Sequence, residues 1–147
     1  MGCRHKERLR QLGQAALIAV DTNVILRFLT HTPDAQFKSA KALFERGDLF
    51  ISSPVVFEVF FTLTGMVLAF SDEDALNALE ALFSLPGVSV QELAAFEAAI
   101  SHARHGLPFK DACVLAFSRQ ADELVTFDRQ FSRRAAKLGL RPPVKAP

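Results

Sequence analysis

The sequence predicts an α/β protein: a three-layer α/β/α sandwich around a central, mainly parallel sheet of four or five short strands. Short apolar runs alternate with helical periodicities along the whole chain. Each run is apolar without a polar alternate, as in strands covered on both faces. Half of the 147 residues are hydrophobic, enough for one substantial core.

Leu17 to Val20 reads as the first strand, ended by Asp21. Residues 1–16 before it form a short basic extension, and residues 17–147 a single domain. Thr22 to Leu29 reads as a helix. Asp34 to Glu45 reads as a second, since Phe37, Ala40, Leu43 and Phe44 have helical spacing and Gly47 stops it. Leu49 to Ile51 is the next strand. Ser52 and Ser53 are placed to cap a helix with Pro54 in its first turn.

That helix predicts an apolar run from Pro54 to Phe70 whose single charge is Glu58. Seventeen residues, a carboxylate and Gly65 favour a buried or dimer-forming helix over a membrane span. Ser71 caps a helix opened by Asp72, Glu73 and Asp74, acids that suit the positive helix start. Val88 to Val90 is a third strand and Glu92 to Arg104 a helix. Pro108 opens another helix to about Gln120, and Leu124 to Thr126 is a fourth strand. Phe131 to Leu138 is the last helix, with a weak strand near Val144.

Net charge is +1, but it is unevenly spread. Residues 71–97 carry six acids and no Lys or Arg, whereas the chain from Arg129 onward carries six Lys or Arg and no acid. A basic end can hold a polyanion. Cys3 and Cys113 make no disulfide framework and read as reduced thiols of a cytoplasmic protein. The N-terminus lacks the apolar core of a signal peptide.

Four acids stand in apolar surroundings. Asp21 ends the first strand, Glu58 is alone in its helix, Asp111 lies in FKDACVLAF, and Asp128 follows LVTF. Ligands of parallel sheets bind at the carboxyl ends of strands, where Asp21 and Asp128 fall. Glu58 and Asp111 are expected in first turns of helices beginning at that edge. Buried carboxylates without partners are costly, and oxygen-only ligands suit Mg²⁺ or Mn²⁺. Thr22, Asn23 and Thr126 can add polar contacts, and Lys110, Arg129 and Arg27 are placed for RNA phosphates, as are Arg133 and Arg134. Taken singly, Asp21 and Asp128 read equally as helix N-caps and Asp111 as a dipole partner. HARH, with His102 and His105, reads as a solvated helix end. Cys113 reads as core, as do most of the fourteen Phe.

VDTNVILRFL, the lone Glu of SSPVVFEVFFTL, FKDACVLAFSRQ and LVTFDRQF, in this order from about Leu17 to Leu140, resemble the PIN domain family and, within it, the VapC-type toxins of bacterial toxin–antitoxin pairs. The resemblance implies a divalent-metal-dependent ribonuclease with Asp21, Glu58, Asp111 and Asp128 as its acidic quartet. It further implies Thr22, Asn23 and Thr126 as supporting polar positions. A homodimer is also implied, with a small antitoxin occluding the site. Two positions depart from the pattern: Gln130 stands where relatives often carry a further acid, and Pro108 and Lys110 stand where relatives often carry one before Asp111. Two other functions compete. One is a non-catalytic RNA-binding or scaffold module. The other is a phosphatase with Asp21 as nucleophile, against which Asn23 occupies the place of its second carboxylate.

Overall fold

The computed structural model describes residues 16–147; Cys3 and the expected basic extension, apart from its last residue, lie outside them. The backbone groups into two compact units, one ending at Gln91 and the other running from Glu92 to Pro147.

The first unit contains β1 (Ile18–Ala19), α1 (Thr22–Thr30), α2 (Asp34–Arg46), β2 (Leu49–Ile51), α3 (Ser53–Leu63), α4 (Asp72–Phe83) and β3 (Val88–Val90). β1 and β3 flank β2, and both pairings are parallel. Ile18 faces Leu49, which faces Val88; Ala19 faces Phe50, which faces Ser89. The row of Leu49 is well covered, while Ala19 and Ser89 are exposed. Only β2 therefore approaches the two-sided burial expected of every strand. The small residues Ala19 and Ser89 mark the more open face, because side chains alternate across a sheet.

Helix boundaries follow local chemistry. Ser71 Oγ accepts from Asp74 N at 3.0 Å and starts α4. Gly47, at φ 78°, ends α2. At the start of α3 the Ser52 side chain makes no cap. Gln91 does so instead: its Oε1 accepts from Ser53 N at 2.9 Å across 38 residues. The expected helix through Phe70 stops at Leu63. Gly65 follows, Ala69 takes a positive φ of 52°, and Phe70 N returns to Leu63 O at 2.9 Å. The apolar run is thus an eleven-residue helix and a reversing loop with Met66 fully exposed. Among the described residues, no helix is long and apolar enough to cross a membrane. Ile25, Leu49, Ile51, Val56, Val59, Leu63 and Leu79 are fully buried and form the core of this unit.

The second unit contains α5 (Leu93–Arg104), α6 (Phe109–Phe117), β4 (Leu124–Val125), α7 (Arg129–Lys137) and β5 (Val144–Lys145). β4 and β5 pair in parallel, so the weak strand expected near Val144 is present. The last helix begins at Arg129, two residues before the expected start, because Asp128 caps it. α5 packs on α6, and Phe96 and Phe117 meet edge to face with centroids 5.0 Å apart. Glu92, at φ 57°, precedes α5 and pairs with Arg119 Nη2 at 2.9 Å. Among the described residues all strand pairings are parallel, in one sheet of three strands and one of two, and helices follow the strands, as expected for the α/β class.

Gly87 joins α4 to β3 at φ 74°, and a Cβ there would lie 2.8 Å from Gly47 Cα and 3.0 Å from Asp48 N. Backbone atoms cannot swing aside as a side chain can. Gly139 has a similar φ of 65° with nothing near its missing Cβ. Gly139→Ala should therefore cost about 1–2 kcal/mol, the price of the left-handed backbone alone. Gly87→Ala should cost clearly more. Urea denaturation of the two proteins checks the order.

Candidate active site

The first unit brings together three of the expected residues. Asp21 lies just past β1 in extended backbone and is the N-cap of α1, its Oδ1 accepting from Thr22 N at 2.8 Å. Thr22 is buried, 7 % exposed, and its hydroxyl donates to Glu58 Oε2. A buried hydroxyl needs such a partner. This bond links the start of α1 to α3 across 36 residues. Asp21 and Glu58 thus flank one threonine, Asp21 through its amide and Glu58 through its hydroxyl. Glu58 is the sixth residue of α3, so it stands in the second turn and not the first. The dipole of the helix start accordingly acts on it less than expected.

The second unit brings together the other two acids. Asp128 is the N-cap of α7, its Oδ1 accepting from Phe131 N at 3.0 Å. Thr126 Oγ1 accepts from Asp128 N at 3.1 Å and so fixes the backbone that carries this acid. Asp111 is the third residue of α6, in its first turn. Partial burial pushes its carboxyl above the usual range, and the negative charge of Asp128 pushes it further, against the opposing pull of Lys110 and Arg134. Asp111 and Asp128 therefore share one electrostatic neighbourhood.

Exposure differs from the expectation that motivated a cation. Asp21, Glu58 and Asp128 are exposed, and only Asp111 is partly buried. The strand ends and helix starts that carry the acids open to solvent, so desolvation does not demand compensation at three of the four. What remains is proximity: Asp111 beside Asp128 in the second unit, and Asp21 and Glu58 each hydrogen-bonded to Thr22 in the first.

The polar and basic positions divide in the same way. Asn23 is exposed beside Asp21. Arg27 Nε donates to Gln36 Oε1 at 2.6 Å. Asn23 and Arg27 line a groove of about 460 Å³ between α1 and α2, with Val24, Ala35, Gln36 and Leu43 among its walls. Lys110 and Arg129 are exposed in the second unit. Arg134, one of several basic residues of the sequence, is singled out by its effect on Asp111. Gln36 and Gln91 carried no sequence signal, since each acts on a partner distant in the chain. His105 Nδ1 lies 2.7 Å from Ser101 O at the end of α5, as a solvated helix end requires. Burial and the neighbouring His105 hold His102 below its ordinary value. Cys113 is buried, and burial pushes its thiol up to about 12, which removes it as a nucleophile.

Among the described residues, no three or more His, Cys, Asp or Glu side chains gather as a metal cage. A hard cation does not need one. Mg²⁺ retains several waters and is commonly held by one or two carboxylates together with substrate phosphate. The oxygen-only pairs fit that requirement, and the charge crowding at Asp111 is of the sign a cation relieves.

The family model described as PIN domain matches residues 18–137, spanning both units and all four acids. PIN domains are generally nucleases and commonly use divalent metals. No curated protein matches the chain.

Asn caps a helix as well as Asp. Asp128→Asn should keep the thermal stability within a few tenths of a kcal/mol, whereas Asp128→Ala should lose about 1 kcal/mol. For Asp111, a raised folded pKa favours the fold at pH below the ordinary 3.8 and is lost as pH rises through the raised value. In EDTA, Asp111→Asn should therefore raise the melting temperature at neutral pH, and the gain should shrink in acid.

Proposed function

Because the chain belongs to the PIN domain family, we propose that it is a Mg²⁺- or Mn²⁺-dependent endoribonuclease and the toxin of a type II toxin–antitoxin pair. The observation that carries the reading is the Asp111–Asp128 pair, two carboxylates that share one electrostatic neighbourhood at the starts of two helices. Asp111 and Asp128 would hold the cation, directly or through water, with Asp21 and Glu58 proposed as further acids of the reaction. When bound, the cation neutralises charge on the scissile phosphate and eases deprotonation of water.

The chain's own residues supply orientation and proton transfer. Thr22 fixes Glu58 through Oε2, which leaves Oε1 to take the proton of the attacking water. The water oxygen bonds to phosphorus, the bond from phosphorus to the leaving sugar oxygen breaks, and that oxygen is protonated by solvent. Thr126 and the Phe131 amide hold Asp128 in place. Lys110, Arg129 and Arg27 take flanking phosphates. The groove beside Asn23 and Arg27 supports the partner reading, because a small antitoxin seated there would cover the approach to Asp21. A homodimer and a cytoplasmic setting complete the proposal.

One observation favours a second reading. Asp21 and Asp128 both serve as helix caps, which would account for them in a non-catalytic RNA-binding module. Cleavage of single-stranded RNA separates the two. The nuclease reading predicts cutting that stops in EDTA, returns with Mg²⁺ or Mn²⁺, and falls more than roughly 100-fold in Asp21→Asn. Binding without cutting, or an Asp21→Asn protein as active as the parent, would sink it.

A further inference from the structure

Phe127 stands between Thr126, just past β4, and Asp128, the cap of α7. It is 88 % exposed. The next most exposed of the Phe residues is Phe61, at 47 %. A single exposed apolar side chain is ordinary. This one adjoins a carboxylate that carries the proposed chemistry, and it is an aromatic ring, with a face on which a base can lie.

The helix that follows it is cationic. α7 carries Arg129, Arg133, Arg134 and Lys137, all exposed, and no acid. Lys110 and Arg134 act on Asp111, so positive charge reaches the acidic pair itself. Exposed aromatic rings beside Arg and Lys are the ordinary means of binding unpaired nucleotides: cations hold the backbone and rings take the bases. A protein partner's apolar patch would also cover Phe127, but would leave this run of cations unanswered unless that partner were acidic.

We propose that Phe127 is a stacking platform: an unpaired RNA base lies on its ring while Arg129 takes the adjoining phosphate, fixing which phosphodiester faces Asp128. This rests on the nuclease reading. It adds a specificity element made by one side chain next to the reacting group. A fully paired strand cannot present a free base face, so the platform selects unpaired nucleotides.

The chain contains no Trp and no Tyr, so Phe127→Trp places the sole indole of the protein at the platform. In EDTA, where binding is read without cutting, a short single-stranded RNA should quench that indole, and a fully paired duplex of the same sequence should not. Gln120→Trp, three residues past the end of α6 opposite Asp111, is the control and should stay bright. With metal, Phe127→Ala should raise KM for the single strand roughly 10-fold, and Phe127→Tyr or Phe127→Trp should restore it.

The proposal is overturned if the parent protein cuts the single strand while the Phe127→Trp indole is unmoved by it. It is equally overturned if Phe127→Ala cuts with the parental KM, or if Phe127→Ala changes only the sedimentation of the protein. If no RNA is cut but the indole is quenched, the nuclease reading fails, Phe127 is a base-binding ring only, and its role in choosing the cut phosphodiester is overturned.

Discussion

Partial burial lifts the Asp111 carboxyl, and the negative charge of the nearby Asp128 lifts it further. A fold selected for stability alone has little reason to keep that arrangement, because like charges in partly desolvated surroundings oppose each other's ionisation. Lys110 and Arg134 oppose that push. Such conflict is characteristic of sites that bind or react. The rest of the proposed chemistry follows from it: a cation to relieve the charge, a phosphodiester as its second ligand, and basic side chains around both.

Caps give two of the acids a second role. Asp21 and Asp128 each spend one oxygen on the first amides of a helix. The helix fixes the carboxylate, and the carboxylate starts the helix, so position and stability come from the same bond. Glu58 reaches a comparable fixity by another route, through the buried hydroxyl of Thr22. Each of these acids remains exposed, which suits groups that must meet a hydrated ion and a polyanionic substrate.

Much of this was legible in the sequence because it is local. Gly47 and Ser71 mark helix ends by their own conformational preferences, and the parallel α/β class follows from alternating short apolar runs and helices. The order DTN, Glu, Asp-Ala, TFD marked the acids and the family to which the chain belongs. Burial was not legible. Apolar neighbours in the chain around Glu58 occupy other faces of its helix, so an apolar stretch does not imply a buried carboxylate. Nor was the end of α3 at Leu63, where composition continues apolar but the backbone turns at Gly65. Gln91 capping Ser53 and Thr22 holding Glu58 join residues 38 and 36 positions apart, contacts that only the folded chain creates.

Whether the carboxylate pair takes a divalent ion can be measured without any substrate. Mn²⁺ titration followed by water-proton relaxation reads the ion directly. The parent protein should bind Mn²⁺ saturably, and Asp111→Asn, which keeps the fold, should weaken that binding by roughly 10- to 100-fold. Equal Mn²⁺ affinity in both proteins, or no saturable binding in the parent, would contradict the metal centre.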